Sequence, residues 1–316
     1  MLLSGKTSGI TATKARVTAP PDGLLRAVGE RYDGGPFRVV EPLAGGWAND
    51  VYVVEGDAGR AVLRLKHPPS DPESIRWEHD VVARVAETVP EVVVPLRGHD
   101  GSTFFLFGGD AAWLVPHVDG APADGDRDEQ RVAAARLLGR LHTATADVDA
   151  PPRPGVDGLA QLRALGAGGL RREWRRRVAT LHAASLRTLH ELERRDAVRG
   201  VVHGDFFPGN VLVRGDRVVA LIDWEEAHVA PLVYDLATGV WEFSKSELTH
   251  DFDRAAAARF VDAYRDAGGP VAPSEEDLLV PLIRAKRVLE LLRAPTDRYV
   301  DWRYQEHNLR AAERLA

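Results

Sequence analysis

One short segment constrains the fold of this chain more than any other. Residues 201–224 read VVHGDFFPGNVLVRGDRVVALIDW. Two apolar runs, Val211–Val213 and Val218–Ile222, flank the polar turn at 214–217, and this pattern predicts a β-hairpin. Polar side chains gather directly before and directly after the predicted hairpin, so we expect them to meet at its open end.

The hairpin is expected to bring two metal-binding side chains together. Asn210 precedes the first strand and should pair opposite a position near Leu221, so that Asp223 lies about one diagonal step, ~7 Å, away. An amide oxygen and a carboxylate at that separation can hold one hard cation such as Mg²⁺, with water and phosphate in its other positions. The sequence therefore predicts a magnesium site with Asn210 and Asp223 as ligands.

The loop before the hairpin offers a base. Asp205 lies five residues before Asn210, on a loop made by Phe206–Gly209. A carboxylate beside a metal site is well placed to accept a proton from an alcohol, and such proton acceptance beside neutralised phosphate charge is what phosphoryl transfer requires. We expect His203, on the preceding strand, to orient this loop through hydrogen bonds to backbone groups.

These motifs resemble those of a known family. HGDFFPGN followed by IDW, and the later PLVYDLATGV at 231–240, are similar to the catalytic and metal segments of the aminoglycoside phosphotransferase family. That family has the protein-kinase-like fold and includes choline, methylthioribose and type II homoserine kinases. The resemblance implies Asp205 as catalytic base, Asn210 and Asp223 as magnesium ligands, and a structural role for Asp235.

The hydrophobic patterns predict a bilobal α+β fold with a boundary near 118–120. A small antiparallel sheet of five strands with one helix, at about 72–87, should precede a larger and mainly helical lobe. The strand candidates of the first lobe are 37–40, 50–54, 60–65, 92–95, 103–107 and 112–116. The helices of the second lobe are expected at 126–146, 171–195, 251–267, 274–294 and 300–315, with a further helix opening at Tyr234 and Asp235. We predict a flexible leader at 1–20, a nucleotide-binding N-lobe at 21–117 and a C-lobe at 118–316 that holds the catalytic loop, the metal site and the acceptor pocket.

The resemblance also implies where the nucleotide binds. Gly45, Gly46 and Asn49 lie between the first two strands, where the family keeps its phosphate-covering loop, and adjacent glycines let backbone N–H groups approach phosphates. The adenine would accept a hydrogen bond from the N–H of Val118 and donate one to the carbonyl of Pro116. The sequence does not distinguish ATP from GTP.

A cation on the third strand is expected to hold the α- and β-phosphates. Arg64 aligns best with the family's position, and Lys66, two residues later and on the same face of the strand, is the alternative. An acid on the following helix should pair with that cation, and Glu78 fits this position. The family usually has a lysine here, so which of the two cations binds the phosphates is left open.

The identity of the acceptor is also left open. Glu225, Glu226, Trp241 and Glu242 follow the metal strand and are candidates to line the acceptor pocket. These acids would suit a polycationic aminoglycoside, but nearby arginines dilute their charge, and FVDAY at 260–264 is similar to type II homoserine kinases. Both an antibiotic-resistance enzyme and a metabolic kinase acting on a small hydroxylated molecule fit the sequence.

Composition excludes several other classes. The chain has no cysteine, which rules out disulfides, thiolate nucleophiles and Cys-ligated metals. Its net charge of −6, with 41 Lys and Arg against 47 Asp and Glu, argues against a nucleic-acid partner. No apolar run approaches the roughly 20 residues of a membrane span, so we expect no membrane partner and a cytoplasmic location. The oligomeric state is left open.

Two rival functions remain within the same fold. A protein kinase is disfavoured because Phe207 stands where protein kinases have a lysine, and because no activation segment ending in Ala-Pro-Glu follows the metal strand. A catalytically dead nucleotide-binding pseudokinase is the alternative from another class. It is weakened because the base, both metal ligands and a phosphate-binding cation are all present.

Overall fold

The structure is a computed structural model that describes residues 19–43, 49–67, 71–146, 148–246, 251–296 and 300–315. Within these ranges the chain divides into two units between Gly120 and Ala121. In this described part, no helix is long and apolar enough to cross a membrane.

The first unit is built on a five-stranded antiparallel sheet within the described residues, in the order β1-β2-β3-β5-β4. Its elements are α1 (Leu24–Gly29), β1 (Arg38–Leu43), β2 (Asn49–Gly56), β3 (Gly59–Lys66), α2 (Pro72–Ala86), β4 (Phe105–Phe107) and β5 (Asp110–Pro116). The α2 helix begins after Asp71, whose carboxylate accepts a hydrogen bond from the Glu73 N–H at 2.9 Å, with Pro72 in the first turn.

Alternation along the strands gives the sheet two covered faces. On one face, Leu63 and Leu65 of β3 pack with Leu24 and Val28 of α1 in a single apolar cluster. On the other face, Trp113 of β5 packs with residues of α2. The odd and even residues of β3 therefore face different helices, as a period of two requires.

Two sequence-based predictions for this unit are wrong. The run 92–95 is not a strand: only Val92 within it forms a bridge, and Pro95 has no N–H to donate to a ladder. The next N–H, of Leu96, donates to the Leu114 carbonyl at 2.8 Å. The unit also has α1 in addition to the single helix expected, since this short helix has only two buried side chains to give it a pattern.

The second unit is mainly helical. Its helices are α3 (Asp128–Thr145), α4 (Gly158–Ala164), α5 (Arg172–Arg194), α6 (Leu232–Glu242), α7 (Arg254–Asp266), α8 (Leu279–Arg293) and α9 (Trp302–Arg314). Its strands are β6 (Ala121–Pro122), β7 (Arg199–Val202), β8 (Val211–Arg214), β9 (Arg217–Leu221) and β10 (His228–Pro231). Antiparallel β8 and β9 form the predicted hairpin with β6 at its edge, and β10 pairs with β7.

Every residue of α6 is buried, which shows that this helix lies inside the core of the second unit. A helix that is buried all round belongs inside a core. The predicted helix at 274–294 is shorter than expected: Pro273–Leu278 forms a 3₁₀ turn first, and α8 follows it. The α4 helix and the β10 strand were not predicted.

The close approach of α3 and α7 generates a test of the packing. A Cβ atom at Gly139 would lie 2.4 Å from the Tyr264 carbonyl oxygen and 3.0 Å from the Ala267 Cβ. We expect Gly139→Ala to lower the free energy of unfolding by about 1–3 kcal/mol, because overpacking forces the helices apart. Urea denaturation followed by circular dichroism measures this change.

The matched control is Gly166→Ala, where no heavy atom beyond the chain neighbours lies within 4 Å and φ is −136°. Its free energy of unfolding should stay within about 0.5 kcal/mol of wild type. Equal stability of the two variants would contradict the close α3–α7 contact.

Candidate functional site

The loop at 203–210, called here the HGD loop, leaves the buried strand β7 and ends in a 3₁₀ turn before β8. Its first two peptide N–H groups donate to one carboxylate: His203 N–H to Asp235 Oδ2 at 2.8 Å and Gly204 N–H to Asp235 Oδ1 at 3.0 Å. Gly204 has φ +81°, and a Cβ there would lie 2.2 Å from the Glu226 carbonyl oxygen. Only glycine fits this turn, which holds the following Asp205 in place.

Asp235 is fully buried on α6 and has further partners. His142 Nε2 lies 3.2 Å from its Oδ2, and the other ring nitrogen, Nδ1, lies 2.9 Å from the Tyr264 hydroxyl. Burial alone would raise the pKa of Asp235, but hydrogen bonding and charge from His142, together with His203, hold that pKa below its ordinary value. The carboxylate is therefore kept ionised inside the core, where it can accept several hydrogen bonds.

His203 is buried and bonds to the backbone on both sides of its ring. Nε2 lies 3.0 Å from the Ile222 carbonyl oxygen, and Nδ1 accepts from the Asp205 N–H at 3.3 Å. Burial lowers the pKa of His203. This pattern fits the neutral tautomer with its proton on Nε2, which ties the HGD loop to the end of β9.

Asp205 is half-buried at the centre of the HGD loop. Burial raises the pKa of its carboxyl to about 7, against the attraction of Lys286 and with the repulsion of Glu242, Glu290 and Glu226. A carboxylate with a pKa near neutrality is suited to accept and later release a proton.

Asn210 and Asp223 lie at the open end of the hairpin. The Ile222 N–H donates to the Asn210 carbonyl at 3.0 Å, so Asn210 stands opposite the residue that precedes Asp223. Asn210 Nδ2 donates to the Asp205 carbonyl at 2.9 Å and to its carboxylate at 3.3 Å. Among the described residues, Asp223 is the one non-glycine residue with a positive φ, 66°, a strained conformation of the kind that clusters at functional sites.

These residues fit a magnesium ion held jointly with a nucleotide. The Asn210 amide N–H groups face Asp205, and among the described residues none donates a hydrogen bond to Asn210 Oδ1, so that oxygen is available to a cation. No three His, Asp or Glu side chains in that part of the chain converge as in an all-protein metal centre. Magnesium commonly takes one or two protein ligands and completes its shell with phosphates and water, which is the arrangement that Asn210 and Asp223 could provide.

Lys286 is a residue of this site that the sequence analysis missed. It lies on α8, is 5% exposed, and its Nζ donates to the Gly204 carbonyl at 3.1 Å. Burial lowers the pKa of Lys286, but Tyr234, Glu290 and Glu226 outweigh that effect and raise it overall, so the ammonium stays charged. Its rarity was the available signal, because the chain has only five lysines, yet nothing in its own helix connects it to the HGD loop.

Of the two acidic acceptor candidates directly after β9, Glu226 is paired with a cation, and Glu290 of α8 lies beside the same cations. Glu226 pairs with Arg293 at 3.2 Å, and Glu290 lies 3.7 Å from both Lys286 and Arg293. Arg293 and Lys286 outweigh the effect of burial and hold the pKa of Glu226 below its ordinary value. Glu225, the preceding candidate, is half-buried.

The other two acceptor candidates, Trp241 and Glu242, are buried and do not line an open pocket. Trp241 is 3% exposed and stacks on Phe252, with ring centroids 5.8 Å apart. Glu242 forms a short ion pair with Lys245 and lies 3.3 Å from Arg287. Both candidates therefore belong to a packed, charge-compensated region at the end of α6.

The cation candidates of the first unit lie on one face of β3. Arg64 pairs across the ladder with Trp113, and its guanidinium lies 5.6 Å from that ring; Lys66 follows on the same face. Ile75 of α2 packs against Trp113, so α2 covers this face. Glu78 is buried one turn further along α2, on the same side as Ile75.

The other nucleotide candidates are placed only in part. Asn49 is the first residue of β2 and is nearly buried. Pro116 ends β5, and Val118 is half-buried two residues later. Gly45 and Gly46 lie outside the described residues.

Comparison of the sequence with known proteins identifies a family and relatives of this chain. The model of the phosphotransferase enzyme family matches residues 39–278. The curated homoserine kinase of Methylobacillus flagellatus is 30% identical over 246 residues, 74% of this chain and 72% of the relative.

Solved structures support the fold. An amicoumacin kinase in complex with AMP-PNP, Ca²⁺ and Ami has a TM-score of 0.74 at 13% identity, covering 94% of this chain and 93% of that one. A microcompartment-associated aminopropanol kinase has a TM-score of 0.71 at 19% identity, covering 92% and 94%. They confirm the protein-kinase-like α+β fold.

The buried carboxylate generates a prediction. We expect Asp235→Asn to lower the free energy of unfolding at pH 7 by about 1–3 kcal/mol, because the new amide N–H groups face backbone N–H donors and leave at least one unsatisfied. Amide exchange at His203 and Gly204 should become faster. Urea denaturation and hydrogen exchange with mass spectrometry measure the two effects.

The pH dependence of that difference follows from the lowered pKa of Asp235. A carboxyl whose pKa is lowered in the folded state stabilises the protein above its unfolded pKa and loses that contribution as the pH falls through the folded value. The difference between wild type and Asp235→Asn should therefore be full at pH 7 and shrink in acid. Asp266→Asn, at an exposed site, is the control; a variant of Asp235 as stable as this control would refute the role given to the carboxylate.

Proposed function

Because the chain belongs to the phosphotransferase enzyme family and is a kinase of small hydroxylated molecules, we propose that it phosphorylates a small zwitterionic hydroxy amino acid, with homoserine as the first candidate. The donor is the γ-phosphoryl group of ATP or GTP with Mg²⁺. The choice of acceptor rests on one observation. The acidic residues around Asp205 are paired with buried or half-buried cations.

The proposed chemistry begins at Asp205. Its carboxylate accepts the proton of the acceptor hydroxyl as that oxygen forms a bond to the γ-phosphorus. The bond from the γ-phosphorus to the bridging oxygen breaks, and its electron pair leaves on the nucleoside diphosphate. Asn210 and Asp223 would hold magnesium, which when bound neutralises phosphate charge. His203 and Asp235 keep the HGD loop in the geometry that this step needs.

The first unit is proposed to bind the nucleotide. Arg64 or Lys66 would bind the phosphates, and Glu78 would orient that cation from α2. Support comes from the shared layer between β3 and α2 in which all three residues lie. Gly45, Gly46 and Asn49 would contact the phosphates, and the backbone of Pro116 and Val118 the adenine, as the family resemblance implies.

The balance of charge around the base favours a zwitterion over a polycation. A polycationic antibiotic gains most from acids whose charge is not already compensated, because binding must otherwise break existing ion pairs. Here Glu226 and Glu290 each have a cationic partner, and Glu242 is buried and paired with Lys245. Such a mixed surface offers acceptors for an ammonium group and donors for a carboxylate on the same small molecule.

The names of the relatives point the same way. The homoserine kinase at 30% identity acts, by its name, on an amino acid with one hydroxyl group. The amicoumacin kinase among the solved structures is similar at 13% identity, which supports the fold alone. Homoserine carries an ammonium, a carboxylate and a primary alcohol, which are the groups that the paired charges and Asp205 can serve.

The acceptor proposal predicts a ranking of substrates. We expect kcat/KM to be highest for homoserine and to fall by about 10²-fold or more for N-acetylhomoserine, because a site that hydrogen-bonds a charged group rejects an analogue lacking it. Release of ADP from Mg–ATP, or of GDP from Mg–GTP, measures the rates. A preference for kanamycin-type aminoglycosides over homoserine would contradict the proposal, and Mg-dependent nucleotide binding with no turnover on any acceptor would favour a pseudokinase.

The metal proposal predicts the behaviour of Asp223→Asn. Asparagine tolerates the positive φ at this position better than most residues, so the variant should fold, while the loss of one charged ligand should lower kcat by about 10²-fold or more and raise the Mg²⁺ requirement. Turnover is measured against Mg²⁺ concentration. Asp216→Asn, in the exposed turn of the same hairpin, should match wild type; full activity of Asp223→Asn at low Mg²⁺ would contradict the assignment.

A further inference from the structure

The HGD loop contains no cation of its own. Its sequence, HGDFFPGN, has Phe207 two residues after the proposed base, and neither lysine nor arginine occurs between 203 and 210. Phosphoryl transfer places negative charge on the oxygens around the base, and positive groups fixed near those oxygens stabilise it. A side-chain cation beside this loop can therefore come only from another part of the chain.

Lys286 supplies that cation from α8. Its side chain crosses to the HGD loop and donates to the carbonyl of Gly204 at 3.1 Å, the peptide group that leads into Asp205. The nearest carboxylate oxygen among the described residues, on Glu290, is 3.7 Å away, too long for a hydrogen bond. The ring centroid of Tyr234 lies 6.0 Å from Nζ.

The ammonium has more donors than the folded chain uses. A lysine carries three N–H donors, and within the described residues Lys286 makes one hydrogen bond, to Gly204. Its side chain is only 6% exposed, so bulk water has little access to the remaining donors. Burying a charged group with unused donors costs free energy. A bond to the Gly204 carbonyl that served only the structure could be made by a neutral donor at a lower cost.

We propose that Lys286 assists phosphoryl transfer in two ways: it positions the Gly204–Asp205 peptide through the Gly204 carbonyl, and it offers its two remaining N–H groups to the oxygens that meet at Asp205 during the reaction. This inference rests on the proposed function of Asp205. It assigns to α8 the cation that the loop sequence lacks, and it predicts that the loss of Lys286 affects the reaction step more than substrate binding.

The test compares Lys286→Met, Lys286→Gln and Lys286→Arg with wild type. Methionine keeps the unbranched apolar stem, glutamine keeps one donor without charge, and arginine keeps the charge. We expect kcat to fall about 10²-fold in the Met and Gln variants, as when one fixed donor is removed from a reaction site, with acceptor KM and the Kd of Mg–ADP within threefold of wild type. Lys286→Arg should recover at least tenfold of that loss.

Arg284→Met is the matched control. Arg284 is a half-buried cation on the same helix, and its pKa is lowered by burial and by the nearby Arg187, so its removal tests the helix without touching the HGD loop. We expect its kcat to equal that of wild type. Wild-type kcat in Lys286→Met or Lys286→Gln, or an equal loss in Arg284→Met, would overturn the proposal.

Hydrogen exchange separates this proposal from the proposed function. If the wild-type protein phosphorylates no acceptor, the proposed function fails, and amide exchange of the HGD loop still decides the case of Lys286. We expect Lys286→Met to exchange the amides of 204–206 at least tenfold faster than wild type and Arg284→Met to leave them unchanged. Unchanged exchange in Lys286→Met would overturn the positioning role; if that variant does not fold, Lys286→Gln is measured in its place.

Discussion

The hydrogen bonds from the His203 and Gly204 N–H groups to Asp235 fix the geometry on which the rest of the site depends. A fully buried carboxylate is costly unless it is hydrogen-bonded on several sides, and here two backbone donors and His142 share that task. Because α6 is buried along its whole length, the carboxylate cannot move without disturbing the core. The HGD loop is thus attached to a helix that is buried along its whole length.

Near Asp235 and the HGD loop, acidic and basic side chains are paired. Lys286 approaches the loop from α8, Arg293 pairs with Glu226, and Arg287 lies beside Glu242. Without these cations, the nearby acids would raise the pKa of Asp205 further. Without the acids, the cations would be costly to bury. The result is a region of mixed charge around Asp205, which is the basis for proposing a small zwitterion as acceptor.

The sequence predicted the parts of the fold and site that depend on local patterns. The hairpin, the longer helices, the protein-kinase-like fold and the phosphotransferase family are confirmed, because turn residues and apolar periodicity act over short distances. The roles of the individual site residues stay predictions. Lys286 was missed because its contact with Gly204 spans 82 residues, and α1 and β10 were missed because elements this short carry too few side chains to form a pattern.

In the proposed reaction, this chain transfers a phosphoryl group to an alcohol with Asp205 as the base. Mass spectrometry of homoserine incubated with enzyme, Mg²⁺ and ATP or GTP tests it most directly, with Asp205→Asn in parallel. We expect the acceptor to gain one phosphoryl group in step with formation of nucleoside diphosphate, and the Asn variant to bind nucleotide but yield little product, because its amide cannot accept the proton. Equal product from the two proteins would contradict the account.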